Sequence, residues 1–141
     1  MADDVVLNKV ATIERCVARV REEYAGDEAH LFRNQTRQDA IILNLQRACE
    51  AAIDLAMHLV RTHRLGIPQE TREAFELLRD ARLLPGDVPE RMARMVGFRN
   101  VAVHDYRKLD LQIVKNIVTL HLDDFLEFTR AVLATAAPQT R

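Results

Sequence analysis

Apolar residues return along this chain in steps of three and four, the spacing that lines one face of a helix. Five segments carry the pattern. In the first, Val6, Val10, Ile13, Val17, Val20 and Tyr24 share a stripe. Asp3 or Asp4 can cap its start, and Gly26 supplies the left-handed residue that ends helices. The second is expected over 36–65, opened by the Thr36/Asp39 start signature and stopped by Gly66 and Pro68. Its seam of Ile42, Leu45, Cys49, Ala52, Ala56 and Leu59 is flanked by Ile41, Ala48, Ile53 and Leu55. A stripe so wide, with many small residues, should face several neighbours.

A short third helix follows over 71–82, with Phe75, Leu78 and Ala81 inward, before Leu83-Leu84-Pro85-Gly86 breaks the pattern. Asp87 then caps a fourth helix, with Pro89 in its first turn and Glu90 three residues after the cap. Its seam reads Val88, Met92, Met95, Arg99, Ala102, so an arginine stands where an apolar residue is due. The fifth helix, over 110–135, keeps Leu111, Val114, Val118, His121, Phe125, Phe128 and Val132 in register. These stripes predict an all-α, up-and-down bundle of about five helices in a single domain over 1–141, frayed at 1–4 and 137–141.

Composition narrows the function classes. The chain has 141 residues, 48% hydrophobic and 29% charged, with four glycines and four prolines, too few for the many turns of a sandwich or barrel. No apolar run is long enough to span a membrane, and the acidic start Met1-Ala2-Asp3-Asp4 is not a signal peptide, so a cytoplasmic protein is expected. Cys16 and Cys49 lie on apolar stripes and read as reduced core thiols. A formal net charge of −1 excludes a general coat for nucleic acid, leaving only local contact. Such a locality exists between Glu90 and Lys108, where Arg91, Arg94, Arg99, Arg107 and Lys108 oppose Glu90 and Asp105, a balance of +3.

Metal chemistry finds no support in the spacing of the five histidines, and no Gly-rich phosphate loop or Gly-x-Ser-x-Gly elbow exists, so no metal or cofactor is expected. Glu50 and Asp54 form an acidic pair one turn apart; either they are a solvated face laced by ion pairs, or Asp54 orients the arginine in the apolar seam. That arginine, Arg99, needs a partner, because a buried lone guanidinium is expensive. The partner is either another side chain or an arriving anion such as phosphate, which suits the planar fork of donors. His104 stands five residues later and can take and give a proton near pH 7. A base and a fixed cation are what metal-free RNA cleavage requires: one takes the 2′-hydroxyl proton, the other offsets charge developing at phosphorus. Five residues on one ideal helix point about 140° apart. Either the helix ends between Arg99 and His104, or two copies bring their motifs to one cleft.

The stretch Met95-Val96-Gly97-Phe98-Arg99-Asn100-Val101-Ala102-Val103-His104-Asp105-Tyr106 resembles the signature of HepT-type toxins of the HEPN superfamily, small helical ribonucleases. Their motif is Arg, four to six residues with a polar one commonly first, then His, and a Tyr two residues on. Asn44 through Asp54 and Arg72-Glu73-Ala74-Phe75 extend the similarity over most of the chain. The resemblance implies a homodimeric toxin of a type VII toxin–antitoxin system, a metal-independent endoribonuclease acting on messenger or transfer RNA and leaving a 2′,3′-cyclic phosphate. It further implies a minimal nucleotidyltransferase antitoxin that silences the toxin by AMPylation. Arg99 would then hold the scissile phosphate, His104 would be the acid/base, Asn100 would position one or the other, and Tyr106 would accept AMP. Asp105 either orients His104 or faces solvent. The rival expectation is a non-catalytic subunit that helps the nucleotidyltransferase hold its substrate.

Overall fold

Helix α1 spans Asp4–Tyr24 and begins at Asp3, whose side chain accepts a hydrogen bond from the Val5 amide at 2.8 Å. The computed structural model describes residues 3–136. Asp3 and Asp4 therefore depart from the expected fraying: Asp3 is also pinned by His58 Nε2 at 2.5 Å, which anchors the first turn to the next long helix. Residues 1, 2 and 137–141, also expected to fray, lie outside the described residues. At the other end the left-handed cap is Ala25 at φ 48, bonding back to Arg21, and Gly26 follows at φ 69. The glycine thus completes the reversal instead of starting it.

A single-turn helix, α2 (Ala29–Phe32), leads into α3 (Gln35–Thr62). The cap of α3 is Asn34, whose side chain accepts from the Arg37 amide at 3.0 Å, and not Thr36. The chain leaves α2 only two residues earlier, so α3 starts as soon as a capping side chain appears. Asp39 is released from capping duty. α1 and α3 are antiparallel along their lengths: Asp3 meets His58, Lys9 meets Asp54, and Arg37 meets the Glu23 carbonyl. Val10, Ile13, Val17 and Val20 of α1 and Ile41, Ile42, Leu45, Ala52 and Leu55 of α3 are all buried in the core.

Helix α4 (Thr71–Asp80) buries Ala74, Phe75 and Leu78, whereas Ala81, expected inward, is the exposed residue after the last turn. Helix α5 (Val88–His104) buries Val88, Met92, Met95, Phe98 and Ala102. Asp87 stands at its cap position without a side-chain cap bond, because its carboxylate is taken by Arg91. A 3-10 turn (Tyr106–Lys108) follows. The last stripe is one rod in three pieces: α6 (Leu111–Asn116), a π turn (Ile117–His121) and α7 (Leu122–Ala136). A π turn holds one extra residue, and here adjacent Ile117 and Val118 both face the core before Phe125, Phe128 and Val132 resume the seam. Phe128 meets Phe75 edge-on with ring centroids 5.8 Å apart, tying α7 to α4. The bundle is all-helical in its described residues, with the five expected rods plus α2. No helix among them is long and apolar enough to cross a membrane.

Candidate active site

Helix α5 runs unbroken through Arg99 and His104, which removes the first of the two routes left open above. The two side chains diverge by the full 140° or so that helix geometry dictates. Arg99 is half-buried on the flank of α5 toward α3, and its Nε is buried without a hydrogen-bond partner among the described residues. Its neighbour on α3 is Cys49, whose thiol is pushed up by burial, an effect the Arg99 charge opposes. Leaving a buried N–H without an acceptor costs about 1–3 kcal/mol.

His104 is the exposed last residue of α5. Asn100 and Gly97 lie on the same outward face, within about 60° of one another on an ideal helix. Asn100 also lines a surface depression with Val96 and with Glu70, Thr71 and Arg72 from the start of α4. Arg72 reaches across α5 at Gly97, which brings a second guanidinium to the Asn100 side of the motif. Asp105 pairs with Lys108 at 3.3 Å, so its carboxylate is turned along the 3-10 turn. Tyr106 is 43% exposed at the start of that turn, and its hydroxyl donates to Asp39 Oδ1 at 2.8 Å. Burial first, and the Asp39 bond second, push the Tyr106 phenol up to about 12.

Asp54 does not join this group. It is exposed and ion-paired to Lys9 at 3.1 Å, and it lines the groove between α1 and α3 together with Glu50 and Arg47. The reason is rotational: the face of α3 carrying Glu50 and Asp54 is turned to α1, whereas Cys49 meets α5. Of the two readings open for Asp54, its contacts here are those of a solvated face laced by ion pairs. The basic strip is also shorter than the residue types imply. Arg91 Nη1 donates to Asp124 at 2.6 Å and to Glu127, and these carboxylates raise its pKa further. Arg94, Arg99 and Arg107 remain on the motif segment, with Arg72 added from α4.

Two contacts around the motif are not visible in the sequence. Arg72 carries no signal beyond lying in a family-like stretch, and Asp39, which meets Tyr106 outside the Arg99/His104 machinery, belongs to a start signature that points to capping. Cys16 and Cys49 are buried and free, as expected. No group of three His, Cys, Asp or Glu side chains among the described residues is placed to hold a metal ion. An apolar cavity of about 370 Å³ between α5 and the last rod, lined by Phe98, Val101, Leu109, Ile113 and Ile117, includes none of Arg99, Asn100, His104 or Tyr106.

The chain matches the family model described as ribonuclease HepT-like over residues 13–132. It is 46% identical over 132 residues to the mRNA nuclease HepT of Shewanella oneidensis, covering 94% of this chain and 98% of that protein. Among solved structures it resembles the tri-AMPylated Shewanella oneidensis HEPN toxin in complex with MNT antitoxin. The TM-score is 0.88 at 45% identity, over 94% of this chain and 98% of that one. A toxin–antitoxin crystal structure with AMP-PNP also matches at a TM-score of 0.88 and 45% identity, covering 94% of this chain and 99% of the other.

Proposed function

This chain belongs to the ribonuclease HepT-like family, and we propose that it is the toxin of a type VII toxin–antitoxin pair, an endoribonuclease whose site is Arg99 and His104. The observation that carries this reading is the buried, unpartnered Nε of Arg99. A structural arginine in an apolar seam would be met by a carboxylate, and the nearest expected one, Asp54, is engaged by Lys9. An orphaned, planar set of donors suits an incoming phosphodiester.

Cleavage then proceeds by transfer within the RNA. Neutral His104 takes the proton of the 2′-hydroxyl, the oxygen attacks the adjacent phosphorus, and the bond to the 5′-oxygen breaks. A histidinium returns a proton to the leaving oxygen, and the product is a 2′,3′-cyclic phosphate. Arg99 binds the charge that accumulates on the phosphoryl oxygens, and Asn100 holds the phosphate or the imidazole in place. No divalent ion has a part. Because α5 keeps Arg99 and His104 on different faces, the working unit is a homodimer whose facing α5 helices line one cleft. The protein works in the cytoplasm on messenger or transfer RNA. Its partner is a minimal nucleotidyltransferase antitoxin, which places AMP on Tyr106; the added phosphodiester competes for Arg99 and the base obstructs entry.

The test is direct. Purified protein incubated with RNA in chelator should leave 2′,3′-cyclic phosphate ends, and His104→Ala should leave none while keeping its helical circular dichroism. Cleavage that requires added Mg²⁺, or that persists in His104→Ala, would sink the mechanism.

A further inference from the structure

The Tyr106 hydroxyl does not simply face solvent. It donates to Asp39 Oδ1 at 2.8 Å, across 67 positions of chain, joining the 3-10 turn after α5 to the first turns of α3. The same oxygen of Asp39 accepts from Gln35 Nε2 at 2.8 Å, so the carboxylate is held from its own helix as well. Asp39 and Tyr106 are both exposed, so a docked enzyme can reach the pair. A carboxylate only accepts, which fixes the phenol as donor and leaves the lone pairs of Oη for other contacts.

Transfer of AMP to a tyrosine has a definite proton requirement. The phenolic oxygen attacks the α-phosphorus of ATP, the bond from that phosphorus to the oxygen bridging the β-phosphate breaks, and pyrophosphate departs. The phenolic proton must leave as the new bond forms, because a neutral phenol is a weak nucleophile. A carboxylate already in hydrogen-bond contact with that proton meets the geometric requirement for a general base. Resting on the reading of Tyr106 as the AMP acceptor, we propose that Asp39 is the proton acceptor for that modification. The toxin thereby supplies a catalytic group to its own silencing. Gln35 is the positioning residue behind it.

The competing role for Asp39 is a tether that merely holds the turn, and the variants separate the two. Asp39→Asn keeps an acceptor oxygen for the phenol but is no longer a base, whereas Asp39→Ala removes both. Each is incubated with the cognate nucleotidyltransferase, ATP and Mg²⁺, and AMP on Tyr106 is followed in time by mass spectrometry. Binding of the nucleotidyltransferase and RNA cleavage by the unmodified variant are measured alongside. A base predicts that Asp39→Asn and Asp39→Ala are both slowed by about 10²–10⁴-fold, with partner binding and RNA cleavage retained. Modification of Asp39→Asn at the wild-type rate overturns the proposal, and so does a loss of partner binding that accounts for the slowing. Absence of AMP from wild-type Tyr106, together with full neutralisation of Tyr106→Phe, removes the acceptor reading itself and the role of Asp39 with it.

Discussion

Arg72 and Gly97 are in contact across two helices: a Cβ built on Gly97 would stand 3.0 Å from Arg72 Nη2. The glycine sits in the interior of α5, where it costs roughly 0.5–1 kcal/mol relative to alanine. The contacting atom is the free end of a long, exposed side chain, so it can yield. Gly97→Ala should therefore raise stability by about 0.5–1 kcal/mol in thermal or denaturant unfolding, while displacing the guanidinium beside Asn100. Reduced RNA affinity in that more stable variant is the expected second result.

Arg72→Ala should weaken RNA binding across sequences and lower the slope of log K against log salt by about 0.7, the share of one phosphate contact on a single strand. An unchanged slope would mean that Arg72 does not touch the RNA backbone. Cleavage should fall through binding, with the rate at saturating RNA much less affected.

Arg99 offers a test that separates function from support. Replacing it with methionine, of similar length and without donors, removes the orphaned Nε–H and should leave stability unchanged or higher, while abolishing cleavage. A loss of about 3–5 kcal/mol would instead identify a member of a buried ion pair.

Tyr106 should titrate near pH 12 in the folded protein. The fold holds this proton more tightly than the unfolded chain, whose tyrosine titrates at about 10. The associated stability is present below about pH 10 and is lost as pH rises through about 12. In Asp39→Asn the value should drop but stay above 10, because burial, the larger cause, is retained. NMR titration of the labelled phenol carbon of Tyr106 reads both.

At acid pH the first turn of α1 should loosen. The His58 hydrogen bond chiefly, with the Val5 amide, holds the Asp3 carboxyl below its usual value of 3.8. A depressed carboxylate contributes stability above that value and loses it as pH falls through the folded pKa. Amide exchange at Val5 and Val6 should accelerate as the solution is acidified below about pH 4, and Asp3→Asn should remove that pH dependence.

Most of the helical frame was legible because burial follows period. Met92, Met95 and Ala102 are buried on the stripe that also carries Arg99, and the odd arginine in that stripe was visible for the same reason. What escaped depends on contacts between distant positions. Nothing local in Thr36-Arg37-Gln38-Asp39 says that Asp39 will meet a tyrosine 67 residues on, and the capping signature pointed to a nearer use. The two readings of Asp54 stayed open in the sequence because a helical wheel orders residues around one axis without saying which neighbour each face will meet. The single turn of α2 is too short to show periodicity, and the π turn is a one-residue surplus that an apolar stripe absorbs silently.

The unbroken course of α5 has a consequence for dosage. If one continuous helix cannot bring Arg99 and His104 together, the number of working sites follows the square of protein concentration wherever dimers are the minority species. A few molecules escaping control by chance would be almost inert, and a doubling of supply would quadruple RNA decay. The cell would experience a threshold, set by the geometry of five residues, below which leakage is harmless and above which damage accelerates.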